Sequence, residues 1–114
     1  MELEPRQVAA IATLPHKIQR NLNLADRLYC AIRAVNEAQE ASFGNRVRVA
    51  RQEAVTPLLR ALNAAAAYAR DLRKDAEALR YEVRNTAVIE IADRAGIIER
   101  RINKLIQKAE MNAP

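Results

Sequence analysis

The chain has 114 residues, a formal net charge of +5 and a pI near 9.9, the size of one domain. Half of it is hydrophobic by count, yet the aromatics are only Tyr29, Phe43, Tyr68 and Tyr81, so a deep aromatic-lined ligand cavity is not expected. Gly occurs only as Gly44 and Gly96 while Ala, Leu, Arg, Glu and Gln dominate, which leaves little to build sheets from and makes the expected fold class all-α.

Residues 2 to 12 read as a short first helix ending near Thr13. Proline is at home in a first helical turn, so Pro15 marks the start of a second, long helix near Leu14. Its apolar positions are Leu14, Ile18, Ala25, Leu28, Ile32 and Val35, with Asn21 filling one slot. That is a heptad-type seam, and it runs to about Ala41. Ser42-Phe43-Gly44-Asn45 then breaks the pattern, with Gly44 a natural left-handed cap. So short a break predicts an antiparallel hairpin.

The next helix opens with Val47 and Ala50. Pro57, with Thr56 as N-cap before it, predicts a kink or a fresh start. Leu58, Leu62, Ala65, Ala69, Leu72, Ala76, Leu79 and Val83 then follow a clean 4-3 rhythm. Alanine in such a seam lets helices approach near the lower end of the ~8–10 Å range. Near Asn85 the phase slips. Either Thr86 caps a new helix there or the slip is a stutter in one long helix. The seam resumes as Ile91, Ala95, Ile98, Ile102, Leu105 and Ala109, and Ile89, Ile97 and Ile106 lie off it. A helix apolar on more than one face belongs in the centre of a bundle or in an interface.

The parts for chemistry are few. His16 is the only histidine and Cys30 the only cysteine, so neither a disulfide framework nor a zinc site can be assembled from them. On one helix the two would stand about 20 Å apart, too far for a nucleophile pair. By the seam count Cys30 points away from the core. Its bland reading is an inert thiol and its sharper one a site for oxidation or crosslinking. Carboxylates have basic neighbours, Asp71 and Asp75 beside Lys74 and Glu99 beside Arg100, as on a solvated helix face. No phosphate loop, nucleophile elbow or metal motif is found. No cofactor, no metal and no catalytic residue are expected. No apolar stretch nears the ~18 residues of a membrane span. The opening, with Glu2 and Glu4, lacks a signal pattern, and the expected location is the cytoplasm.

Charge is uneven. Residues 1–44 carry five basic and five acidic side chains, 45–84 nine and five, and 85–114 five and four. A basic surplus suits nucleic acid or an acidic protein partner, and is also ordinary in an Arg-rich helical protein. Residues 91 to 105 resemble a helix-turn-helix of the bacterial repressor type. Ala92 supplies the small residue, Gly96 the turn, and Ile91, Ala95, Ile97, Ile102 and Leu105 the apolar lock. Arg100, Arg101, Lys104 and Lys108 would then meet phosphates and base edges. Ile98 in the turn and Glu99 at the tip depart from that pattern. The same residues also fit an uninterrupted helix, because an interior Gly costs only ~1 kcal/mol.

The opening Met1-Glu2-Leu3-Glu4-Pro5-Arg6-Gln7, the Leu14 to Val35 helix and the overall size are similar to the QslA-like quorum-sensing antiactivators of bacteria. The resemblance implies a homodimeric helical protein that binds a LuxR-type transcription activator and prevents it from dimerising or holding DNA. It carries no residue roles with it.

These lines converge on one helical domain over 1–114, a bundle of long antiparallel helices with coiled-coil-like seams. A helix of residues 57 to 84 would span about 40 Å, more than a lone chain of this size covers well, so a homodimer is expected. The expected function is non-enzymatic regulation by binding a protein, with Tyr29, Phe43, Tyr81, Ile89 and Ile106 as candidate anchors. Each has a structural alternative: Tyr29 closing the core, Phe43 plugging the hairpin turn, the isoleucines packing inside. The alternatives in function are a small DNA-binding protein using residues 88–108 and a structural coiled-coil assembly component.

Overall fold

Three helices follow one another along the chain: α1 (Pro5–Glu40), α2 (Asn45–Glu82) and α3 (Thr86–Met111). A computed structural model describes the backbone of residues 2–40 and 45–111 and the side chains of 2–38 and 52–111. The Ser42–Gly44 cap and the candidate anchor Phe43 lie outside the described residues.

Cross-helix contacts give the directions. Arg6 pairs with Glu82 at 2.9 Å and the Asn21 amide donates to the Ala65 carbonyl at 3.1 Å, so α1 and α2 are antiparallel. Arg73 binds Glu99 and Arg80 lies 4.0 Å from Asp93, so α2 and α3 are antiparallel too. Arg94 donates to Gln19 at 3.0 Å and Arg101 lies 4.0 Å from Asp26, which sets α3 parallel to α1. The result is an up-down-up bundle in which each helix packs on the other two. It measures 66 × 20 × 15 Å.

The seams lie where the 4-3 rhythm puts them. In α2, Leu62 through Val83 are all buried at the expected positions and Leu58 is half-buried. In α1, Leu14, Ile18, Asn21, Ala25 and Ile32 are buried, with Leu28 and Val35 packed against the core. A helix touching two neighbours buries a second strip beside its seam. Leu22 and Asn36 of α1 are buried for that reason, and Tyr29, seven residues from each, packs against the core between them. In α3 the second strip is Ala92, Glu99 and Ile106, on the side where Glu99 reaches Arg73. Ile106, an expected exposed anchor, is therefore only 8% exposed and belongs to the core.

Pro15 departs from expectation, and Pro57 makes no fresh start. Pro15 lies inside α1 and Pro57 inside α2, and neither starts a helix. The Thr56 hydroxyl donates back to the Gln52 carbonyl at 2.7 Å, so Thr56 bonds within a helix and does not cap one. Thr13 does the same with Ala9 at 2.9 Å. Both prolines are exposed. Continuous burial on the opposite face, from Leu14 to Ile18 and from Val55 to Leu62, holds the helix together through the missing backbone bond. At the phase slip the chain does break. Its cap is Asn85, one residue before Thr86: the Asn85 side chain accepts from the Ala87 amide at 2.8 Å.

Glu99, expected beside Arg100, binds Arg73 across the α2–α3 interface, and Arg73 also holds Glu77 at 3.0 Å. Both carboxylates raise the pKa of Arg73, Glu99 most. Asp71, Lys74 and Asp75 make no ion pair among the described residues. At the far end, the Gln7 amide and the Arg6 guanidinium hold the Glu82 carboxyl below its usual range. A depressed carboxyl adds stability that is complete above its unfolded value of about 4.3 and fades as pH falls through the lower folded value. The native chain should therefore melt above Glu82→Gln at neutral pH. Thermal melts should show that gap closing as pH falls below about 4.3.

Candidate protein-interaction surface

The last turns of α2 carry Glu77, Arg80 and Tyr81, and the turn that follows carries Arg84, all on positions that the Ala76, Leu79 and Val83 seam leaves outside the core. The reversal after Glu82 is tight. The Val83 amide donates to Leu79 at 2.8 Å, the Asn85 amide to Val83 at 3.1 Å, and the Ile89 amide to the Asn85 carbonyl at 3.0 Å. This turn and its Asn85 cap bring the first turn of α3 back against α2. Ile89 then lines a depression of about 510 Å³ together with Glu77, Arg80, Tyr81 and Arg84.

A second depression, of about 590 Å³, lies on the other side of the same ridge. Leu3, Gln7, Tyr81, Val83 and Arg84 are among its walls. The start of α1 is fixed there by Arg6, which pairs with Glu82 at 2.9 Å and with Glu4 at 3.2 Å. Tyr81 and Arg84 thus form a ridge between two shallow basins. Tyr81 is 88% exposed, Leu3 and Ile89 38% each. Neither Tyr81 nor Arg84 has a polar partner among the described residues.

An unpartnered aromatic ring flanked by guanidinium groups and apolar side chains presents one large amphipathic surface. It can fill a pocket on another protein, as tyrosine and arginine anchors do. Among the described residues no group of three His, Cys, Asp or Glu could hold a metal ion. Among these residues no helix is long and apolar enough to cross a membrane.

Of the five expected anchors the fold brings Tyr81 and Ile89 together. Tyr29 stands apart, half-buried on α1, and Ile106 is in the core. Arg80, Arg84 and Leu3 were not anticipated. The arginines had only a weak signal, their nearness to Tyr81 in the sequence. Leu3 had none, because it arrives from the other end of the chain.

The helix-turn-helix that stood as the alternative does not form. α3 runs unbroken through Gly96. Ala95, Ile98 and Ile102 all point into the core from that stretch, and a turn would withdraw them. A Cβ at Gly96 would meet only the end of the Arg100 side chain, at 3.6 Å, so nothing there demands glycine. Arg100, Arg101, Lys104 and Lys108 are exposed on this straight helix, with Arg101 4.0 Å from Asp26. Cys30 is exposed, with the thiol free. The chain matches no protein-family model, no curated protein and no solved structure.

Proposed function

We propose that this chain is a non-enzymatic regulator that works by binding another protein through the Tyr81 ridge. The observation that carries the reading is a tyrosine 88% exposed at one end of the bundle, between two basins and flanked by Arg80, Arg84, Ile89 and Leu3. The likeness of Met1 to Gln7 and of the Leu14 to Val35 helix to the quorum-sensing antiactivators selects the partner class: a LuxR-type transcription activator. The bound ridge occupies the surface through which the activator pairs with itself, so the activator loses its dimer and its grip on DNA. The regulator is itself a homodimer in this reading, and cytoplasmic.

Light scattering of purified mixtures tests both parts. Alone, the chain should show a dimer mass at micromolar concentration. Mixed with the activator, it should convert activator dimers into a mixed complex. Tyr81→Ala should keep the native melting temperature, because the side chain packs on nothing, and should weaken the complex by about 2 kcal/mol, roughly 30-fold. An activator dimer undisturbed by excess native chain contradicts the proposal.

A further inference from the structure

A second surface, on another side of the bundle, carries chemistry that the Tyr81 ridge does not use. Lys17, Arg20, Leu24 and Arg27 of α1 and Tyr68 of α2 border a groove of about 490 Å³ between these helices. Asn21 is at its base, 4% exposed. The Asn21 amide donates to the Ala65 carbonyl at 3.1 Å, but its Oδ1 is buried with no hydrogen-bond partner. A buried acceptor left unmet is expensive. Above it, Leu24 is 50% and Tyr68 44% exposed. None of Lys17, Arg20 and Arg27 forms an ion pair among the described residues.

Two exposed apolar side chains beside a row of unpaired cations on one bank define a narrow class of occupant. We propose that the α1–α2 groove seats an acidic amphipathic helix of a partner protein as a fourth helix of the bundle. Its apolar side chains lie on Leu24 and Tyr68 and its carboxylates meet Lys17, Arg20 and Arg27, which span about 15 Å, or three helical turns.

Charge decides against the other occupants. A second copy docked by two-fold symmetry would set these three cations against themselves. A nucleic acid would bring its phosphates against an acidic α2 bank. The α2 bank offers Tyr68 and, one turn on, Asp71, and Asp75 lines the adjoining depression with Lys17. The inference does not rest on the Tyr81 ridge and survives its failure.

The test uses the full chain and a dye-labelled synthetic peptide of ~20 residues, with leucines on one helical face and glutamates on its flanks. A scrambled peptide of the same composition and a short DNA duplex are the comparisons, all read by fluorescence anisotropy. The amphipathic peptide should bind saturably, and the scrambled one at least about ten-fold more weakly. Arg20→Glu with Arg27→Glu should weaken binding by about ten-fold or more, and so should Leu24→Ser. These side chains are exposed, and unchanged thermal melts verify the fold. Tyr81→Ala should leave peptide binding intact. Equal binding of the scrambled peptide or the duplex reduces the groove to a general polyanion surface and overturns the proposal. So do indifference to charge reversal, loss of binding in Tyr81→Ala, and absence of saturable binding.

Discussion

Replacing Ile102 with alanine should lower the unfolding free energy by about 3–4 kcal/mol. Ile102 is 0% exposed in the middle of α3. Its side chain fills the space between the shorter helix and the antiparallel pair α1 and α2. Truncation removes the transfer free energy of the lost carbons and leaves a cavity. That cavity cannot collapse easily, because long rigid helices line it on both sides. For a chain of this length the loss corresponds to about 12–16 °C in melting temperature. Ile97, five residues earlier and 50% exposed, is the control: its alanine variant should fall within about 1 kcal/mol of the native chain. Denaturant unfolding of the two variants measures both. A loss below about 1 kcal/mol at Ile102 would mean that α3 does not dock on the hairpin.

The second large effect has the opposite sign. Pro15→Ala should stabilise the protein by about 2 kcal/mol, and Pro57→Ala by a similar amount. Each proline lies well inside a continuous helix, where it lacks the amide that would meet the carbonyl four residues back and crowds that carbonyl with its ring. Alanine restores the bond and fits the exposed side of the helix without a clash. Part of the gain is returned, because alanine frees the unfolded chain. If Pro15 instead began a separate helix, its rigid backbone would help and alanine would destabilise. The sign of the change therefore distinguishes one long α1 from two helices, and a single denaturation curve reads it.

The prolines show where local rules stop. A Thr-Pro or Leu-Pro step reads as a helix start because nearby residues favour one. Apolar residues spaced through both prolines keep the helix going, and that preference sums over many turns. The α2 seam was legible almost residue by residue, since its strict 4-3 spacing has one solution. The second strips, with Leu22 and Asn36 on α1 and Ile106 on α3, were not. They exist only because each helix touches two others, and a single helix does not encode how many neighbours it has. Gly96 invited a turn that Ile98 and Ile102, both buried, forbid. At the candidate surface Tyr81 and Ile89 were legible as surplus apolar residues off the seam. The meeting of Tyr81 with Leu3 was not, since it depends on α1 beginning where α2 ends.

The account stands most directly on one comparison: tagged native chain and tagged Tyr81→Ala as baits in host lysate, each with nuclease, read by mass spectrometry. The account predicts one transcription activator, nearly stoichiometric with the native bait and lost from Tyr81→Ala. Identical protein sets on the two baits, or a native bait whose partners all disappear with nuclease, would contradict it.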